Sequence, residues 1–136
     1  MLKILLVDDN PGDQKLFEFA IKGTKIEHQL IKAFSSHNLV DVIFNEKPDL
    51  IVMDVVMPGI SGEDFVSVLQ NGGSVSLIPI IFVTGKNFND GLMFEPSNTL
   101  NIGNKDYPVL NKPVDSKELK DQILKLVRKE LIEEKP

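Results

Sequence analysis

Polar side chains that could take part in chemistry stand at the ends of apolar runs in this sequence. They are three carboxylates, one hydroxyl and one ammonium: Asp8, Asp9, Asp54, Thr84 and Lys112. Three clustered carboxylates are unstable together unless they are protonated or neutralised. Mg²⁺ is a natural neutraliser, because it prefers oxygen ligands and is often bound by one or two carboxylates with water and phosphate oxygens. Beside it, a Lys and a Thr could cradle a phosphoryl group, and an Asp could be the nucleophile.

The apolar runs have the length and composition of buried β-strands. Five strand-length stretches are present, at residues 3–7, 28–34, 49–54, 78–84 and 107–113, of which the second is more mixed and the fifth is apolar only in its middle. Runs that are apolar throughout suit strands covered on both faces, and helical patterns separate them. This alternation predicts an α/β fold, a three-layer doubly wound structure with a five-stranded parallel sheet and helices on both faces. Because the carboxyl ends of parallel strands share one edge, where ligands bind in such folds, the polar side chains should meet there.

One segment does not follow the alternation of strands and helices. Residues 85–106 are rich in Asn and Gly and contain Pro96, which disfavours a long regular helix. We therefore expect an irregular segment in place of part of the fourth helix. No internal repeat, linker or low-complexity tract divides residues 1–136, so the sequence predicts a single domain.

Composition narrows the class of protein. The chain has no cysteine, which excludes disulfides, thiolate chemistry and cysteine-ligated metals. It has no apolar run near the ~20 residues of a membrane span. Its start, with an early acidic pair, differs from a signal peptide, so we expect a cytoplasmic protein without membrane contact. A net charge of -5 with no basic block argues against direct nucleic-acid binding.

Four motifs resemble those of the CheY-like receiver domain of two-component response regulators. They are VDDN at 7–10, MDVVMPGISG at 53–62, IIFVTG at 80–85 and NKP at 111–113. Each motif alone is weak, but their order and their places at predicted strand ends are typical of that family. The resemblance covers nearly the whole chain, and it implies a flavodoxin-like strand order of 2-1-3-4-5.

The resemblance also implies a metal site and a phosphoacceptor. Asp54 would accept the phosphoryl group in a reaction that depends on Mg²⁺. The ion would be bound by Asp8, Asp9, Asp54 and the backbone carbonyl of Val56. The phosphoryl donor would be a sensor histidine kinase or a histidine phosphotransfer protein, and the phosphorylated form would signal to a downstream protein by a conformational shift. Such a domain promotes its own phosphorylation and dephosphorylation but is not a turnover enzyme.

Three further positions take their expected roles from the family. Thr84 would sense the phosphoryl group and Lys112 would pair with it. Pro113 matches a family position whose peptide bond is typically cis, an arrangement that would aim the preceding Lys side chain.

Two features depart from the family pattern. Lys112 follows Thr84 by 28 positions, several more than expected, and the surplus lies in residues 85–106. Many receivers carry a Tyr or Phe three residues before the Lys as a rotameric switch. Here that position is Val109, and Tyr107 lies two residues earlier. We therefore expect the coupling from Thr84 to an aromatic side chain to be absent or altered.

Other functions fit parts of the pattern. A degenerate receiver could keep the fold and act as a phosphate-independent interaction module. A phosphatase of the haloacid dehalogenase type also uses an Asp nucleophile, Mg²⁺, a hydroxyl and a Lys, but its first motif is Asp-x-Asp and the chain is too short for a cap domain. A flavodoxin-like cofactor binder needs a hydroxyl- and glycine-rich phosphate loop, whereas residues 8–13 read DDNPGD. Asp8 and Asp9 alone could simply cap the first helix.

Overall fold

Six β-strands and four α-helices make up the parts of the chain that the computed structural model describes. These parts are residues 1–35, 37–55, 62–85 and 99–134, with residues 62 and 63 described by their backbone only. In chain order the elements are β1 Leu2–Val7, α1 Pro11–Gly23, β2 His28–Ala33, α2 Leu39–Glu46, β3 Leu50–Asp54, α3 Gly62–Gln70, β4 Ile80–Thr84, β5 Thr99–Ile102, β6 Lys105–Asn111 and α4 Ser116–Leu126. Short 3-10 helices lie at Gly73–Leu77 and Lys129–Leu131.

Five of the strands form the parallel sheet that the sequence predicts. The order across the sheet is β2-β1-β3-β4-β6-β5, so the five parallel strands have the flavodoxin-like order 2-1-3-4-5 when β6 is counted as the fifth. β1, β3 and β4 lie in the middle, and their residues are buried almost throughout. Burial on both faces explains their continuous apolar runs, and their parallel pairing places the carboxyl ends of these strands side by side.

The sixth strand is the main addition to the predicted fold. β5 pairs antiparallel with β6 at the edge of the sheet, within the segment expected to be irregular. Gly103 and Asn104 join the two strands with φ angles of 59° and 66°, as the two-residue turn of a tight hairpin requires. A Gly-Asn pair between two short strand-like stretches was the available signal. Residues 86–98, which hold the rest of the expected irregular segment, lie outside the described residues.

Helices cover both faces of the sheet, which confirms the three-layer structure. On one face, α1 and α4 pack against the strands through side chains that include Phe17 and Ile123. On the other face, α2 and α3 pack through side chains that include Ile43 and Phe65, and the apolar side chains of β5 join them. The core therefore lies in two layers, one on each side of the sheet. None of the helices in the described residues is long and apolar enough to span a membrane.

Candidate functional site

The three predicted carboxylates meet at the carboxyl edge of the sheet. One carboxylate oxygen from each of Asp8, Asp9 and Asp54 lies within 4.8 Å of those of the other two. Asp8 and Asp9 follow β1 directly, and Asp54 is the last residue of the neighbouring β3. Asp8 and Asp54 are 2% and 8% exposed, whereas Asp9 is exposed. Solvent therefore reaches the cluster at Asp9.

Lys112, directly after β6, brings an ammonium into this cluster. Its Nζ lies 2.8 Å from Oδ2 of Asp54 and 2.9 Å from Oδ2 of Asp8. It also lies 3.0 Å from Oδ2 of Asp13, an acid on α1. The backbone N–H of Lys112 donates to the carbonyl of Thr84 at 2.7 Å, which ties the residue to the end of β4. One ammonium is thus shared by three carboxylates from three separate segments of the chain.

Burial and ion pairing act in opposite directions on these charges. For Asp8, burial is the larger effect and raises the pKa of the carboxyl above its ordinary value of 3.8, although contacts with Lys112 and the Asn10 N–H lower it. For Lys112, burial alone would lower the pKa of the ammonium, but the contacts with Asp54, Asp8 and Asp13 outweigh burial and raise that pKa above its ordinary value. Lys112 therefore stays charged, while the Asp8 carboxylate is destabilised by its surroundings.

The first turn of α1 explains how Asp13 reaches Lys112. Asn10 caps the helix, because its Oδ1 accepts a hydrogen bond from the Asp13 N–H at 3.0 Å, and Pro11 fits the first helical position. The sequence alone did not single out Asp13, since an acid in a first helical turn is common and is favoured by the helix dipole. The available signal was that the helix starts directly behind the acidic pair, so its first turn must lie at the same sheet edge.

A buried glutamine fixes the backbone beneath the carboxylates. Gln14 Nε2 donates to the carbonyl of Asp8 at 2.9 Å and to that of Ala33 at 3.0 Å. The side chain of Asp8 is held in turn, because its Oδ1 accepts from the Asn10 N–H at 2.9 Å. Gln14 thus joins α1 to the ends of β1 and β2. Sequence reasoning missed it too, although a polar residue three positions before the buried Phe17 lies on the apolar face of the helix.

Thr84 ends β4 where the sequence places it, and it is fully buried. It lies one residue beyond Val83, which pairs with Asp54 across β3 and β4. Its hydroxyl donates to the Gly85 carbonyl over a long 3.4 Å. The peptide bond between Lys112 and Pro113 is cis. Val56, whose carbonyl is expected to bind the metal, lies outside the described residues.

Tyr107 belongs to the core, where neighbouring side chains hold both its ring and its hydroxyl. It is 4% exposed, and its ring packs edge-to-face against Phe82 with the ring centres 6.0 Å apart. Gln70 Nε2 donates to its hydroxyl at 2.9 Å and to the Ile102 carbonyl at 3.0 Å. The Lys105 ammonium lies 5.5 Å from the centre of its ring. These contacts tie the β5–β6 hairpin to the end of α3.

The donor set of the cluster suits a hard divalent cation. All three side chains offer carboxylate oxygens, which are the ligands that Mg²⁺ prefers. The ion usually keeps several waters, and the exposed position of Asp9 gives solvent access to this side of the cluster. The residues present therefore fit the ion that the sequence implies.

Comparison with known proteins gives the same family over most of the chain. Residues 4–124 match the response regulator receiver domain. Protein PilH of Pseudomonas aeruginosa is 34% identical over 119 residues, which are 88% of this chain and 92% of PilH. The probable transcriptional regulator ycf27 of Porphyra purpurea is 32% identical over 127 residues, which are 93% of this chain and 48% of that protein. The chain therefore spans about half the length of ycf27.

Solved structures share the fold at lower identity. The chemotaxis response regulator CheY4 of Vibrio cholerae has a TM-score of 0.71 at 18% identity, over 93% of this chain and 99% of CheY4. A response regulator receiver domain protein from Clostridium thermocellum has a TM-score of 0.72 at 21% identity, over 93% of this chain and 94% of that one. Receiver domains are signalling domains rather than turnover enzymes, and they bind Mg²⁺ through an acidic pocket. With both its motifs and its fold matched, the chain belongs to the response regulator receiver domain family.

Proposed function

We propose that residues 1–136 form a single phosphoacceptor domain in which Asp54 takes a phosphoryl group from a phosphohistidine. The donor is a sensor histidine kinase or a histidine phosphotransfer protein. The observation that carries the proposal is the position of Asp54, whose carboxylate joins the Asp8–Asp9 pair while Lys112 Nζ lies 2.8 Å away. The carboxylate that would be the nucleophile, the acidic cluster that would hold the metal ion and the ammonium that would meet the transferred group all lie at one sheet edge.

The reaction is an exchange of one bond to phosphorus for another. A carboxylate oxygen of Asp54 forms a bond to phosphorus, and the bond between phosphorus and the imidazole nitrogen breaks. The imidazole keeps the electron pair and takes up a proton, so the histidine is released neutral and Asp54 becomes an acyl phosphate. Phosphoryl transfer of this kind depends mainly on positioning and on stabilising charge at the phosphoryl oxygens.

The residues around Asp54 supply that positioning and charge. Asp8, Asp9 and Asp54, with the Val56 carbonyl, would hold Mg²⁺, which when bound neutralises charge on the phosphoryl oxygens. Gln14 Nε2 links the Asp8 carbonyl to the Ala33 carbonyl, and the Asn10 N–H donates to Oδ1 of Asp8, so both the backbone and the carboxylate of Asp8 are held. Lys112 offers its ammonium to a phosphoryl oxygen on Asp54.

Thr84 and the strands behind it would carry the signal outward. Its hydroxyl has only a 3.4 Å contact to the Gly85 carbonyl, so it can turn to a phosphoryl oxygen at little cost. Phosphorylation would then shift a conformational equilibrium that a downstream protein senses. Because its hydroxyl is bonded to Gln70, Tyr107 would move together with Gln70 and the hairpin in such a shift, and not as an independent side chain.

Phosphorylation by a small donor tests the proposal. The purified protein is incubated with Mg²⁺ and acetyl phosphate, and its intact mass is recorded. We expect a gain of about 80 Da, one phosphoryl group, which Asp54→Asn and omission of the metal both abolish. Asp121→Asn removes an acid from the exposed side of α4 and should leave the gain intact. If Mg²⁺ binds but neither acetyl phosphate nor a phosphorylated histidine protein adds mass, the chain is a phosphate-independent interaction module instead.

A further inference from the structure

We propose that Asp13 is a positioning residue of this site, which anchors the Lys112 ammonium beside the acidic cluster. The inference deepens the proposed function and rests on it for the role of Lys112. It starts from the 3.0 Å contact between Lys112 Nζ and Oδ2 of Asp13, across 99 positions of sequence. No motif of the chain gives Asp13 this role.

The geometry separates Asp13 from the other two partners of Lys112. An ammonium has three protons, and here it faces three carboxylates. Two of them, Asp8 and Asp54, also belong to the cluster within 4.8 Å that suits a cation, and Asp13 does not. When that cluster binds a cation, Asp8 and Asp54 interact with the ion as well as with Lys112. Of the three partners of Lys112, Asp13 is then the one that does not also belong to the cation cluster.

The start of α1 holds Asp13 in place for this contact. The Asp13 N–H donates to Oδ1 of the capping Asn10, and the Gln14 N–H donates to the Asn10 carbonyl at 3.1 Å. The side chain of Asp13 is 32% exposed and that of Lys112 is 17% exposed, so water only partly screens the pair. The backbone of Asp13 is thus fixed by the helix, and its carboxylate points to the carboxyl edge of the sheet.

Helix α4 shows that capping alone does not explain this contact. Asp115 caps α4 as Asn10 caps α1, and Glu118 occupies the same third helical position as Asp13. Glu118 is exposed. Both acids meet the same local preference for a helix start. Asp13 differs by its tertiary contact with Lys112, so Glu118→Gln is a matched control for the loss of one negative charge at this helical position.

The first readout is the exchange of the Lys112 ammonium protons with water, measured by nitrogen-15 NMR in metal-free buffer and with Mg²⁺. The resonance is assigned by its loss in Lys112→Arg. Without metal, we expect exchange about fivefold faster in Asp13→Asn and Asp13→Ala than in the parent or Glu118→Gln, because a charged hydrogen bond is lost. With Mg²⁺ the difference should widen, since Asp13 is then the main remaining anchor. This readout needs no phosphorylation.

The second readout is the rate of phosphorylation as a function of acetyl phosphate concentration. Asp13→Asn should lower the maximal rate about tenfold, because a misplaced Lys112 contacts the transferring group poorly. The KM for the anionic donor should stay the same or fall, since a negative charge near the site is gone. A variant that is merely less well folded would lose active fraction with an unchanged rate per active molecule.

The outcomes separate the two proposals. If the parent protein takes no phosphoryl group, the proposed function fails, and proton exchange alone decides whether Asp13 anchors Lys112. If the parent is phosphorylated but Asp13→Asn matches Glu118→Gln in both proton exchange and maximal rate, the role of Asp13 is overturned while the proposed function stands.

Discussion

At the amino edge of the sheet, acids and cations pair one to one, whereas at the carboxyl edge three carboxylates share one ammonium. Around the amino edge the pairs are Lys3 with Glu46 at 3.0 Å, the N-terminal ammonium with Glu133 at 3.2 Å, and Lys120 with Glu134 at 2.9 Å. All of these side chains are between 27% and 58% exposed. Exposed pairs of this kind contribute between 0 and about 1 kcal/mol each.

At the carboxyl edge two of the carboxylates are buried, and among the described residues three carboxylates contact a single cation. Asp8, Asp13 and Asp54 all face Lys112, and the side chains of Asp8 and Asp54 are only 3% and 11% exposed. Asp9 adds a further negative charge to the same group. The fold therefore carries repulsion at this edge that the amino edge avoids. The difference indicates that charges are balanced locally at the amino edge and contribute little to stability there, whereas the carboxyl edge has an excess of negative charge that would favour a bound cation.

Removing Lys112 should produce the largest difference between the two edges. Lys112→Ala leaves three carboxylates without their shared cation, and loss of one partner from a buried ion pair typically costs about 3 kcal/mol or more. Lys120→Ala removes one exposed pair from the other edge and should cost less than about 1 kcal/mol. Urea unfolding at neutral pH without divalent metal measures both. Equal losses in the two variants would mean that the shared Lys112 ammonium stabilises the fold no more than one exposed ion pair does.

Magnesium should act on the carboxyl edge alone. An ion that binds only the folded state at about ten times its Kd stabilises that state by about 1.4 kcal/mol. We expect this gain in the parent protein and in Glu46→Gln, and its loss in Asp54→Asn, measured by urea unfolding with and without MgCl₂. Sodium chloride at matched ionic strength is the control for screening. A gain that persists in Asp54→Asn would place the ion elsewhere.

Much of this arrangement follows from the sequence because the three central strands β1, β3 and β4 are almost entirely apolar. Strand-length apolar runs predict the parallel sheet, and a parallel sheet brings the ends of its strands to one edge. Asp8, Asp54 and Thr84 could therefore be placed together before any contact was known. Their roles in the chemistry remain predictions, and the carbonyl of Val56 lies outside the described residues.

The parts that sequence did not predict depend on how separate elements dock. Asp13 and Glu118 occupy the same position in two capped helices, so local pattern cannot tell which one meets Lys112. Gln14 was missed because its role is to donate hydrogen bonds to two backbone carbonyls, and one of them lies on β2, far from Gln14 in the sequence. The β5–β6 hairpin was missed because a segment rich in Asn and Gly is expected to be irregular. The same residue types also form tight hairpin turns, as Gly103 and Asn104 do here.

The contribution of Asp8 to folding stability should change with pH, which is a smaller effect that also distinguishes the two edges. Because burial raises the pKa of Asp8 in the folded protein above 3.8, the folded state binds more protons than the unfolded state just above that pH. Its contribution to stability is therefore lost as pH rises through 3.8 and the higher folded value. Without metal, Asp8→Asn should be more stable than the parent at neutral pH, because a buried charge is removed while Lys112 keeps its contacts with Asp13 and Asp54. The advantage should shrink towards pH 3.8 and below, as followed by urea unfolding; an advantage that does not change with pH would contradict burial as its cause.

The smallest effect should come from the amino edge itself. Glu46→Gln removes the partner of Lys3, but the Lys3 side chain is 27% exposed and that of Glu46 is 44% exposed, so water replaces most of the interaction. We expect a loss of less than about 0.5 kcal/mol, which becomes smaller still as salt screens the pair. Urea unfolding of Glu46→Gln and the parent protein at low and high sodium chloride measures it. A larger loss that salt does not reduce would show that water does not screen the Lys3–Glu46 pair. The two edges would then differ in the number of carboxylates that share one cation, and not in solvent exposure.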